Sequence, residues 1–278
     1  MANQAETLRR LQDNPVLVAE EAARDLSLMT NTTSHDVAIV FGSGWDAAAK
    51  QLGKVDATFA ATNLAGFLPP TVPGHSGKIS SLTIDKKKAL VFHGRKHLYE
   101  FPDDVTGMPA VLHYVRVAKA AGCKVFVHTN AVGGLIPVLE VGQMVVVHDH
   151  NDVITNVPSP LRGAPTFLDC SAVYDHHLYT LCREIDPAIS SRVIANVRGP
   201  HFETPAAAKF LQNNGCDIVG MSMIPEAILA RHLGLRFLGL SLVTDAAGDA
   251  VTHEEVQAVV KRRAPYLGHF LKRLVERL

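Results

Sequence analysis

The stretch SLVTDAAGD (241–249) sets an acid, Asp245, just past an apolar run, Phe237–Val243. That pattern is a buried strand opening into a loop, at the edge where open α/β sheets bind ligands. Other strand ends carry similar chemistry. GSG (42–44) follows VAIVF, and its small residues let backbone N–H groups and the Ser43 hydroxyl approach an anion at a helix N-terminus. GRKHLYE (94–100) follows another apolar run; if it stays extended, Arg95, His97 and Tyr99 point to one side. Arginine offers a planar fork suited to phosphate and histidine adds a donor. TNAVGGL (129–135) and GMSMIPE (220–226) end strands in small residues, and GPHFETP (199–205) puts Phe202 and Glu203 just before a helix. PGHSGK (73–78) holds His75 in a Gly- and Pro-rich loop. Each segment alone is equally compatible with ordinary turn chemistry or a solvated edge strand.

Several chemistries are excluded by pattern. GSG is not a phosphate-binding GxxxxGK[ST] loop, and Phe41 stands where a serine-hydrolase elbow needs Gly. HDHND (148–152) and YDHH (174–177) lack zinc spacing, so no metal is expected; the first reads as a polar loop after a strand, and His176 and His177 as helix-surface residues. Cys123, Cys170, Cys182 and Cys216 are widely spaced and are expected to be reduced thiols. Lys plus Arg and Asp plus Glu are both 27, a balance that argues against a nucleic-acid partner. No apolar run approaches the roughly 18 residues of a membrane span. The first fifteen residues lack a signal-peptide core, and a cytoplasmic location is expected.

The elements that must position these residues alternate. Strands are expected at 37–41, 78–84, 88–94, 124–130, 143–149, 191–197, 217–221 and 236–244, with a hairpin turn at Asp85-Lys86-Lys87. Helices are expected at 14–29, from about 45 to 52, and at 108–121, 172–185, 205–213, 225–233 and 254–278. Thr204 should cap the 205–213 helix, and Pro265 should kink or divide the last one. Residues 151–169, with Pro158, Pro160 and Pro165, read as a long loop. The alternation predicts one α/β domain over 1–278, with a mixed, mainly parallel central sheet flanked by helices.

Taken in order, GSG, TVPGHSGK, GRKHLYE, TNAVGGL, GPHFETP, VGMSMIPE, SLVTD and THEEV resemble the trimeric purine nucleoside phosphorylases, colinearly from about residue 35 to 260. The resemblance implies the nucleoside phosphorylase fold, a homotrimer, and phosphate-dependent cleavage of purine nucleosides to free base and pentose 1-phosphate. It implies no cofactor beyond phosphate as co-substrate, and no metal. It assigns Ser43, Arg95, His97, Ser222 and the Ala131 N–H to phosphate, with His75 in a loop near it. Tyr99, Phe202 and Met221 fall at ribose positions and His253 at the 5′-hydroxyl. Glu203 and Asp245 fall at the purine, and Tyr174 is a further pocket candidate. A neighbouring subunit usually completes such a pocket, but here the loop NDVITNVPSP lacks the expected aromatic.

Asp245 departs from the 6-oxopurine members, which carry Asn there. An ionised Asp only accepts, whereas a protonated one offers a donor for N7 and an acceptor for the 6-amino group of adenine. Glu203 favours the opposite choice, because it accepts from the N1–H of hypoxanthine and guanine. Three alternatives stay open: a methylthioadenosine phosphorylase, a non-catalytic nucleoside- or phosphate-binding protein, and a nucleoside hydrolase. His253, the Ser43–Arg95–His97–Ser222 set, and the lack of an N-terminal aspartate cluster weigh against them in turn.

Overall fold

The computed structural model describes residues 2–153, 158–161 and 167–278. The 151–169 loop reading therefore falls partly, with Pro165, outside the described residues. Nine strands form one sheet: β1 (Val37–Phe41), β2 (Lys54–Ala60), β3 (Lys78–Ile84), β4 (Lys87–His93), β5 (Val125–Gly134), β6 (Met144–Asn151), β7 (Ser190–Asn196), β8 (Ile218–Gly220) and β9 (Arg236–Ala246). Their order is β2-β3-β4-β1-β5-β8-β7-β6-β9, and β9 returns to pair with β5. Strands β4, β1, β5 and β9 run parallel, so their carboxyl ends meet at one edge.

The helices are α1 (Ala2–Asp13), α2 (Pro15–Thr30), α3 (Asp104–Val111), α4 (His113–Ala120), α5 (His176–Ile185), α6 (Pro205–Asn213), α7 (Ile224–His232) and α8 (His253–Glu276). They cover both faces of the sheet, as its central strands require. Strand β1 is buried along its whole length. Its Ala38 and Val40 join the core beneath α2, α4 and α7, while Val37, Ile39 and Phe41 join the one beneath α5 and α8.

Several differences from the sequence reading have local causes. Strand β2 was not expected; its charged, half-exposed pattern is that of a sheet edge. The 108–121 helix is two helices that break at Leu112, and the first begins at Asp104 because Asp103 accepts the Thr106 N–H at 2.8 Å. Helix α5 starts at His176 rather than Ala172: Asp175 accepts the Leu178 N–H at 2.9 Å, while Tyr174 bridges to Phe237. His148–Asn151 belong to β6 and not to a loop. Pro265 does not divide α8, whose Ala264, Leu267, Leu271 and Leu274 are buried; packing outweighs the lost hydrogen bond.

Three histidines are sealed in this frame. His35 meets the Ser81 hydroxyl at 2.9 Å, His113 the Ala65 carbonyl at 2.8 Å, and His128 lies 3.6 Å from Glu226. Burial pushes each down to about 4. They stay neutral when folded but take up protons below about pH 6.5 when unfolded, so stability falls as pH drops from 6.5 towards 4. Each histidine adds a slope approaching about 1.4 kcal/mol per pH unit. Urea denaturation at pH 7.5, 6 and 5 should show a steep fall with net proton uptake on unfolding; a flat profile would contradict this.

Candidate active site

The carboxyl ends of β1, β4, β5 and β9, with the turns around α6 and α7, enclose a cleft of about 440 Å³. Ser43, Arg95, His97, Tyr99, Ala131, Phe202, Glu203, Met221, Ser222, Asp245 and His253 all line it. Segments more than two hundred residues apart thus converge on one volume.

One end is built for an anion. Buried Arg95 donates through Nη2 to the Ser222 hydroxyl at 2.6 Å and through Nη1 to the Thr129 carbonyl at 3.2 Å. Its Nε has no partner among the described residues. The Gly42 N–H donates to the Thr129 hydroxyl at 3.2 Å, and that hydroxyl donates to the Val40 carbonyl at 2.9 Å, so the Ser43 turn is laced to β5. The chain is extended through His97 and then turns into Leu98–Glu100, with the His97 ring stacked on Tyr99 at 4.9 Å and 11°. Burial lowers the His97 pKa, against the opposing pull of Glu100.

Two predicted residues stand outside the lining. His75 sits behind it, 3.4 Å from the Ser43 hydroxyl and 3.0 Å from the Arg95 carbonyl. Burial, then His97 and Arg95, push His75 to about 3, so it is neutral. Tyr174 is a correction. Its ring packs edge-on against Phe237 at 5.7 Å and its hydroxyl lies 3.1 Å from His150 Nδ1, which makes it part of the core beside β9.

The other end is acidic. Strand β9 does not stop at Thr244: it runs through Asp245 to Ala246, with an extra residue where Val132 pairs with Val243 but Gly133 with Asp245. Such a bulge re-aims side chains at a strand end. The Thr244 hydroxyl donates to Asp245 Oδ1 at 2.7 Å. Burial raises the Asp245 pKa, with the charge of Asp249 adding to it; burial also raises that of Glu203, and Asp245 adds to it.

Supporting residues were missed. Glu100 accepts from the His97 N–H at 2.6 Å, from Lys96 at 2.7 Å, and from the Thr71 N–H and hydroxyl at 2.9 and 2.6 Å. Glu226, fully buried, accepts from the Met223 N–H and the Tyr114 hydroxyl, each at 3.0 Å. Burial pushes its carboxyl up, but His128 and Arg95 outweigh that and hold it at about 2. The legible signal for both was an acid three residues into a turn or helix, the spacing of a capping box.

The Phosphorylase superfamily model matches residues 36–276. Purine nucleoside phosphorylase of Mycobacterium tuberculosis is 40% identical over 95% of this chain and 97% of its own length, and that of a Cellulomonas species 39% over 95% and 94%. The crystal structure of Schistosoma mansoni purine nucleoside phosphorylase in complex with inosine superposes with a TM-score of 0.83 at 30% identity, covering 94% of this chain and 96% of that one. The chain belongs to the Phosphorylase superfamily and, within it, to the purine nucleoside phosphorylases.

The lacing of Gly42 to β5 has a direct consequence. A Cβ there would stand 2.7 Å from the Thr129 carbonyl oxygen and 2.9 Å from Asn130 Cα, both backbone atoms of a central strand. Gly42→Ala should lose about 1–3 kcal/mol of stability, as overpacking does, and show a lower Tm in a thermal melt.

Proposed function

We propose that this chain transfers a pentosyl group from a purine nucleoside to inorganic phosphate, releasing the free base. The observation that carries this is one cleft with an Arg95–Ser222–Ser43 end, a Glu203–Asp245 end, and Tyr99, Phe202, Met221 and His253 lining it. Phosphate sits against Ser43, Arg95, His97, Ser222 and the Ala131 N–H. Its oxygen attacks C1′ as the C1′–N9 bond breaks, and the bonding electrons leave with the purine. The ribose passes through an oxocarbenium-like state that the phosphate anion stabilises, and no side-chain nucleophile is needed. Holding two reactants in line supplies much of the remaining acceleration. His75, behind Ser43, orients the phosphate turn. No cofactor takes part.

Asp245 and Glu203 contact the base. Burial raises the pKa of both; in its protonated form Asp245 donates to N7 and accepts from a 6-amino group, while Glu203 accepts from N1–H of a 6-oxopurine. The enzyme therefore uses adenosine unusually well beside inosine. An unmatched buried polar contact costs about 1–3 kcal/mol, so Asp245→Asn should move the adenosine-to-inosine ratio of kcat/KM towards inosine by about ten- to a hundredfold. An unchanged ratio would mean that Asp245 does not touch the base. The wild-type ratio should also decline as rising pH ionises Asp245.

A methylthioadenosine phosphorylase needs an apolar 5′ pocket, and His253 at the cleft argues against it. Comparing adenosine with 5′-methylthioadenosine separates the two, and base release that requires phosphate excludes a hydrolase and a non-catalytic binder. Following the family resemblance, the enzyme acts as one catalytic domain, in the cytoplasm, as a homotrimer. Light scattering should then give three times the 30.0 kDa chain mass; a monomer would overturn the trimer.

A further inference from the structure

Helix α8 begins at Thr252, whose hydroxyl accepts the Glu255 N–H at 3.2 Å while Glu255 accepts the Thr252 N–H at 2.8 Å. His253 is thereby fixed in the first turn, at the cleft. Four residues on, on the same helix face, stands Gln257, which does not line the cleft. Its Nε2 lies 2.8 Å from the Pro73 carbonyl oxygen and 2.9 Å from His253 Nε2.

These contacts bear on where the protons are. The Pro73 carbonyl carries no hydrogen, so the amide atom 2.8 Å from it must be the NH₂ group; an amide oxygen there would set two acceptors face to face. The second amide hydrogen is then directed at His253 Nε2. A proton on that ring nitrogen would oppose donor to donor at 2.9 Å, whereas a lone pair there faces the Pro73 oxygen at 3.1 Å; the shorter contact, to the amide, favours Nε2 as the acceptor. Neutral His253 therefore has its hydrogen on Nδ1, a nitrogen with no hydrogen-bond partner among the described residues. The partner of one ring nitrogen sets the role of the other.

We propose that Gln257 is a positioning residue that selects the Nδ1–H tautomer of His253 and so makes this histidine a hydrogen-bond donor to the sugar 5′-hydroxyl. The proposal rests on the reading that His253 faces that hydroxyl. Gln257 also anchors the cleft-lining Pro73, and a Cβ on Gly74 (φ 89°) would stand 2.5 Å from the Gln257 amide nitrogen. The chain at Pro73-Gly74 is therefore shaped to receive this amide.

The test pairs variants with substrates that have or lack the 5′ group. Inosine and 5′-deoxyinosine are compared in wild type, His253→Ala, Gln257→Met and Gln257→Glu, with thermal melts to verify folding. Gln257→Met keeps the length of the side chain and removes both donors. It should cut kcat/KM for inosine by about five- to tenfold, the scale of one hydrogen bond, and leave 5′-deoxyinosine almost unchanged. Gln257→Glu offers only acceptors, should reverse the tautomer, and should lower inosine at least as far. Nitrogen NMR of histidine-labelled protein should give a protonated Nδ1 for His253 in wild type and a protonated Nε2 in Gln257→Glu. Equal losses on both substrates would make Gln257 a loop anchor only and overturn the proposal, as would a protonated Nε2 in wild type. If His253→Ala also fails to discriminate the two substrates, the 5′-hydroxyl reading of His253 is what has failed.

Discussion

The geometry of the cleft depends on one buried cation. Arg95 leaves the end of β4 and crosses to two separate elements, the Thr129 carbonyl on β5 and the Ser222 hydroxyl in the turn before α7. A guanidinium taken out of water is costly unless its donors are met, and its fork can satisfy two directions at once where lysine offers one point charge. The compensating negative charge is Glu226, also buried, which Arg95 helps to keep ionised. That carboxylate in turn receives the N–H of Met223, itself held at φ 99°, where a side chain is strained by about 1–3 kcal/mol. The strained turn presents Met221 and Ser222 to the cleft, so the anion end and the sugar wall share one electrostatic support.

Backbone contact imposes a second constraint. The phosphate turn approaches β5 so closely that position 42 has no room for a side chain, and further along the same strand Gly133 lies beside Asp245, where a Cβ would stand 3.1 Å from Oδ2. Strand β5 thus carries a glycine at the acidic end of the cleft and faces one at the Arg95 end. Between them the small Ala131 lines the cleft. This explains why a run as plain as TNAVGG sits at the centre of the fold: β5 has to pair with β1, β8 and β9 and still let two cleft-lining turns come near it.

Much of this was legible in sequence, and what was not has a physical reason. The apolar runs of β1, β5 and β9 and the Thr204-Pro205 start of α6 carry local signals, and those elements lie where the pattern put them. The Gly-rich strand ends marked the residues that now line one cleft. Strand β2 gave no such signal, because an edge strand that is half exposed has little apolar periodicity. Pro265 misled because its local cost is set against ten buried residues elsewhere on α8. Tyr174 was a pocket candidate only through the family resemblance, and no local pattern signals its bridge to Phe237. His128 was invisible because its partner Glu226 comes from a distant segment, and no spacing rule predicts that contact or the one between Tyr114 and Glu226.

The two acids at the base end are where the fold departs from a simple anion trap. With a regular register Gly133 would pair with Thr244; the extra residue sets Gly133 opposite Asp245 and leaves Asp245 beside the Thr244 hydroxyl. Burial favours the neutral form of both carboxyls, and the negative neighbour of each strengthens that preference, so the pair resists having two charges in one apolar wall. A protonated carboxyl can donate and accept, whereas an amide at the same place has fixed donor and acceptor atoms. A carboxyl at this place can therefore change its hydrogen-bonding pattern with its proton, which an amide cannot.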